Sequence, residues 1–211
     1  MRRLPVYILI DTSGSMRGEP IQSVNVGLQS LLTSLRQDPH TLDSVWLSII
    51  TFDREVKSVL DLTELSDVQL PRIVTPDSGP TFLGAALNMV CDRIQRDVTL
   101  SSGGVKGDWM PLLFIMTDGK PSDLMDFREA VKRVNGMHFG LILGCAAGDK
   151  AKEEFLQEVT DNVVKLDTTD ATAFQHFFKF VSDSVALGGQ SVGLAEAPQL
   201  PPPPPEINLV A

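Results

Sequence analysis

The stretch Val6-Tyr-Ile-Leu-Ile-Asp-Thr-Ser-Gly-Ser15 decides the fold. Its apolar residues run without interruption from Val6 to Ile10, stop at the carboxylate of Asp11, and give way to Ser13, Gly14 and Ser15, which turn the chain. A short, wholly apolar run bounded by turn residues reads as a strand buried on both faces, and such strands belong to parallel sheets covered by helices on either side. Just beyond the turn, Pro20 suits a first helical position. Ile21, Val24, Leu28, Leu31, Leu32 and Leu35 then recur on one face until Asp38–Pro39 ends the pattern.

Working outward, the same alternation continues. Val45–Phe52 and Val56–Leu62 form a hairpin around Asp53–Glu55, and a helix follows from about Phe82 to Arg96. Leu100 to Asp108 is a polar, Gly-containing loop. Leu112–Met116 is a second continuous apolar strand, followed by a helix with Ser122 as its N-cap and Phe127, Ala130, Val131 and Val134 on its apolar face. Phe139–Leu143 reads as a strand, Lys150–Val159 as a helix and Val163–Leu166 as a short edge strand. A last helix, about Ala171 to Leu187, carries Phe174, Phe177 and Phe178 at core spacing. The expected fold is α/β, doubly wound, with a mostly parallel sheet, one antiparallel edge strand and helices on both faces. Residues 1–187 form the domain and 188–211 a Gly/Pro-rich tail. In the tail, Gly188–Gly189 makes a hinge and Pro201 to Pro205 an extended rod. That tail either packs across its own domain, stays disordered, or docks onto another protein.

Composition narrows the function. The 211 residues are 43% hydrophobic and 21% charged, a globular balance. Lys plus Arg number 18 against 27 for Asp plus Glu, a net charge of −9. That excess argues against nucleic acid and against an anionic membrane surface, both of which are bound through clustered cations. No apolar stretch approaches the ~20 residues a membrane helix needs. The apolar run after Arg2 and Arg3 stops too early for a secretory signal. Cys91 and Cys145 read as reduced core thiols, so a cytoplasmic location is expected.

Three short motifs fall at the ends of strands or the start of a helix: Asp11-Thr-Ser-Gly-Ser15, Ser78-Gly-Pro-Thr81 and Thr117-Asp118-Gly119. In an open parallel sheet, ligands bind beyond the carboxyl ends of the strands, where these motifs converge. Asp-x-Ser-x-Ser after an apolar strand, a Thr opening a later helix, and Thr-Asp-Gly after another strand resemble the metal-ion-dependent adhesion site of von Willebrand A domains. The resemblance spans roughly residues 4 to 187. It implies a metal site made by Asp11, Ser13, Ser15, Thr81 and Asp118. In the family pattern the serine hydroxyls bind the metal directly, Asp11 binds it directly or through water, and Thr81 does either. Asp118 acts through water, and one coordination position is left for a partner's Glu or Asp. Carboxylate and hydroxyl oxygens suit a hard cation, Mg²⁺ with Mn²⁺ or Ca²⁺ as alternatives, and do not suit zinc. The chain departs from the family's frequent Gly-Gly-Thr in having Gly79-Pro80-Thr81. Pro80 restrains its own φ and favours extended backbone at Gly79. Ser78 and Thr75 are weaker candidates for the Thr81 role.

Leu9-Ile-Asp-Thr-Ser-Gly-Ser-Met16, Lys106-Gly-Asp-Trp-Met-Pro111, Thr117-Asp-Gly-Lys-Pro121 and the proline-rich end are similar to the short bacterial TerY type associated with tellurite resistance. That likeness implies a non-enzymatic adaptor in stress response, acting with phosphorylation-related proteins. Two other readings compete. One is a metal-independent structural interaction domain. The other is an aspartyl-based hydrolase, because Asp11-Thr and Asp77-Ser-Gly79 loosely echo paired catalytic loops; an inserted Ser and the helix-rich pattern count against it. Net charge further predicts a partner whose key carboxylate sits on a basic surface.

Overall fold

The computed structural model describes residues 2–77, 79–190, 200–204 and 207–210. Among the described residues seven strands form one sheet in the order β3-β2-β1-β4-β5-β6-β7. They are β1 (Leu4–Asp11), β2 (Val45–Phe52), β3 (Val56–Glu64), β4 (Leu112–Thr117), β5 (Leu141–Ala147), β6 (Val163–Leu166) and β7 (Asn208–Val210). The β1–β2, β1–β4, β4–β5 and β5–β6 pairs are parallel. β1 and β4 lie side by side, with Ile10 opposite Met116, so the residues that follow both strands emerge together.

Alternate residues of each buried strand serve opposite layers. Val6, Ile8 and Ile10 pack with α1 (Glu19–Gln37) and α6 (Ala171–Gln190) through Val24, Leu28, Phe177 and Phe178. Tyr7 and Leu9 face α3 (Leu83–Asp97) and α4 (Leu124–Asn135) through Leu87, Val90, Phe127 and Ala130. Two glycines permit the closest helix contacts. A Cβ on Gly27 would lie in the ring of Phe178, and one on Gly84 would sit 2.3 Å from the Phe127 backbone nitrogen. Cys91 on α3 and Cys145 on β5 are both buried and unpaired with each other.

The doubly wound parallel sheet with an antiparallel hairpin edge agrees with the sequence expectation. Several details differ. Asp38 does not simply end α1: its carboxylate accepts from the His40 and Thr41 amides and starts a second short helix, α2 (Pro39–Ser44). Lys150–Val159 contains only a short helix, α5 (Glu153–Gln157). β6 is not an edge, because β7 pairs with it antiparallel. Ile207 is buried in the core cluster that includes α1 and α6, and Leu200 is partly buried against the same cluster, so these parts of the tail lie across their own domain. α6 also continues through Gly188 and Gly189 to Gln190 instead of hinging there.

Candidate metal centre

Asp11 is the last residue of β1 and is fully buried. One of its carboxylate oxygens accepts from the Ser13 amide at 2.8 Å, closing a tight turn. The other accepts from the Thr117 hydroxyl at 2.6 Å, so the neighbouring strand fixes the carboxylate's orientation. The turn carries Ser13 and Ser15 onto one side, with their Oγ atoms 3.2 Å apart. Ser15 in turn donates to Asp118 at 2.8 Å. Asp11, Ser13, Ser15, Thr117 and Asp118, from two segments distant in the chain, thus form one connected cluster.

Thr81 joins from a third loop. Its hydroxyl lies beside Gly119, where an added methyl would approach it to 3.4 Å. Two backbone bonds hold it there: the Thr81 amide donates to the Ser122 hydroxyl at 3.1 Å, and the Ser122 amide donates to the Thr81 carbonyl at 2.8 Å. Ser122 was expected to cap α4; Asp123 occupies that place and Ser122 ties two loops together instead. Asp123 itself accepts from the Gly84 and Ala85 amides at the start of α3. The Gly79 carbonyl accepts from the Gly14 amide at 3.5 Å, joining the Pro80 loop to the serine turn. Ser78 lies outside the described residues, and Thr75 lines a neighbouring cleft.

All five residues expected to form the site therefore sit together at the carboxyl ends of β1 and β4. The supporting residues Thr117, Ser122 and Asp53 were not anticipated. Of these, only Thr117 had a local signal, as the first residue of Thr117-Asp118-Gly119. Asp53 accepts from the Thr12 hydroxyl at 2.8 Å and its carbonyl from the Phe82 amide at 3.1 Å.

The electrostatics fit a cation. Burial pushes the Asp11 carboxyl up to about 6, against the hydrogen bonds from Thr117 and Ser13 that favour its charged form. Burial also raises Asp118, opposed by Ser15, while Lys150 acts on it from farther off. Neither carboxylate has an ion pair among the described residues. Among the described residues, two buried carboxylates with converging hydroxyls have no positive charge paired to them to offset their desolvation, which a divalent ion would supply. The set runs from a fully buried floor at Asp11 to an exposed rim at Ser15. Among the described residues no three His, Cys, Asp or Glu side chains gather anywhere as a metal cluster, this site included, so its donor set is two carboxylates and three hydroxyls. Asp77, the second half of the hydrolase reading, pairs on the surface with Arg17 at 3.1 Å and does not touch Asp11.

A family model described as von Willebrand factor type A domain matches residues 6–188. The chain belongs to that family. Among solved structures, the fold is similar to proximal thread matrix protein 1 from the mussel byssus, described with a zinc-occupied MIDAS motif (TM-score 0.60, 17% identity, 88% of this chain and 48% of that one). It is also similar to a von Willebrand factor type A protein from Catenulispora acidiphila (TM-score 0.62, 14% identity, 88% and 43%). A third is the pilus adhesin SpaC from Lactobacillus rhamnosus GG (TM-score 0.65, 14% identity, 89% and 31%). This A domain spans less than half the length of each of these proteins. No curated protein matches the chain.

Proposed function

We propose that this domain binds a protein partner through a divalent cation held by Asp11, Ser13, Ser15, Thr81 and Asp118, which would make those residues a metal-ion-dependent adhesion site. The observation that carries the reading is the convergence of two buried carboxylates and three hydroxyls with, among the described residues, no basic side chain paired to them. When bound, the cation supplies a Lewis-acidic position that a partner's Glu or Asp oxygen fills. The protein's own contribution is placement. Thr117 and the Ser13 amide aim the Asp11 carboxylate, Ser122 fixes the Thr81 loop, and Asp123 anchors the loop that carries Asp118 to the start of α3.

Mg²⁺ is the first choice for this donor set, with Mn²⁺ and Ca²⁺ next. The zinc described in the mussel protein adds zinc to the cations to be tested, because affinity order and availability can outweigh donor hardness. The domain acts by binding, not by catalysis. The sequence words shared with the TerY type support a bacterial cytoplasmic adaptor in tellurite or stress response, working with phosphorylation-related partners.

One observation favours a metal-independent structural role: the internal hydrogen bonds already knit Asp11, Ser13, Ser15 and Asp118 together. Isothermal titration of the full chain with Mg²⁺, Mn²⁺, Ca²⁺ and Zn²⁺ separates the readings. Saturable heat is expected with at least one cation, and its loss in Asp11→Ala. Titrations that do not differ between the two proteins would refute metal capture and leave the structural role.

A further inference from the structure

Beside the candidate metal centre lies a cleft of about 430 Å³ whose wall includes Thr12, Asp53, Arg54, Lys57, Arg72 and Thr75. Thr12, whose hydroxyl donates to Asp53 in the cleft, stands between Asp11 and Ser13 in the chain, so the cleft adjoins the turn that carries the metal centre. The carboxylates in this cleft are already engaged. Asp53 accepts from the Thr12 hydroxyl and from the Glu55 amide, and Glu55 pairs with Lys57 at 2.6 Å. Arg54 and Arg72 are different. Both are exposed, and among the described residues neither has an ion pair or a side-chain hydrogen bond.

Their positions are built. Arg72 precedes Ile73, whose amide and carbonyl are both clasped at 2.8 Å by the Asn25 side chain on α1. Ile73 is buried, so this clasp fixes the backbone from which Arg72 projects. Arg54 sits at the tip of the β2–β3 turn. The turn is closed by the Asp53 amide donating to the Glu55 carbonyl at 3.1 Å and by the Glu55 amide donating to the Asp53 carboxylate at 3.0 Å. Two guanidinium groups on pinned backbone, without carboxylates of their own, form a receptor for carboxylates from outside.

We propose that this cleft receives further acidic residues of the same partner segment that presents its Glu or Asp to the cation, so that the domain selects an extended acidic stretch over an isolated carboxylate. The inference rests on the cation-binding reading above. It also revises the expectation drawn from net charge: the local field at the mouth, not the −9 of the whole chain, sets which partner fits.

The test uses the full chain in Mg²⁺ with two dye-labelled peptides, Ser-Gly-Glu-Gly-Ser-Asp-Glu-Gly-Ser and the same peptide with Asn-Gln in place of Asp-Glu, followed by fluorescence anisotropy. The acidic peptide is expected to bind about fivefold tighter, the contribution of two exposed ion pairs. Combining Arg54→Glu with Arg72→Glu is expected to erase that preference while leaving the Mg²⁺ titration heat and the circular dichroism unchanged. Equal binding of the two peptides, or a preference that survives the double reversal, overturns the inference. A native chain that gives no heat with any of the four cations instead defeats the cation reading, so the two failures are told apart.

Discussion

Asp11 shows how one residue can be placed at a cost to stability. Its carboxyl, ordinarily near 3.8, is pushed up to about 6 by burial, so the folded protein favours the neutral form more than the unfolded chain does. The sign follows: stability is fully present below 3.8 and is lost as pH rises toward 6. In EDTA at pH 7.5, Asp11→Asn is therefore expected to raise Tm by several degrees, the neutral amide keeping the Ser13 contact while Thr117 turns its hydroxyl to accept. The same variant should lose its response to added Mg²⁺. A lower Tm in EDTA would show that the hydrogen bonds outweigh the desolvation. Asp11, Ser13, Ser15 and Asp118 were legible because each lies within a few residues of an apolar strand end. Ser122 and Asp53 were not, since their roles depend on loops that meet only after folding.

Among the elements, the helix pair α3–α4 bears directly on the site. Gly84 lets the start of α3 approach the Phe127 backbone so closely that no side chain fits, and Asp123 caps α3 from the neighbouring chain segment. Backbone cannot yield as a flexible side chain can, so Gly84→Ala is expected to cost about 2 kcal/mol and lower Tm by about 4–8 °C. An unchanged Tm on thermal denaturation would mean the two helices separate freely. Continuous apolar runs made β1 and β4 readable, because strands buried on both faces leave no alternation to misjudge, and β2 was readable as the first arm of a hairpin. The short α2 escaped notice because Asp38–Pro39 reads equally as a stop for one helix and a start for another. β7 escaped for a different reason: three residues after a proline run carry no periodicity, and their pairing with β6 is set wholly by tertiary structure.

For the whole molecule, the sheet has an antiparallel strand at each end, a hairpin at one and the returning tail at the other. Ile207 anchors the tail in the core, and burying such a side chain is worth roughly 1.5–3 kcal/mol. Ile207→Asp is expected to release β7 and speed hydrogen exchange at the Val163–Leu166 amides at least tenfold, with β1 and β4 unaffected. Protection that persists along β6 would show that the tail adds nothing to the sheet. The sheet's centre has a separate consequence. Asp11 and Asp118 meet only because β1 and β4 pair across more than a hundred intervening residues, a long loop to close and therefore a slow contact to make. A nascent or partly unravelled chain has no cup to fill, so any partner that recognises the filled cup inspects for completed molecules.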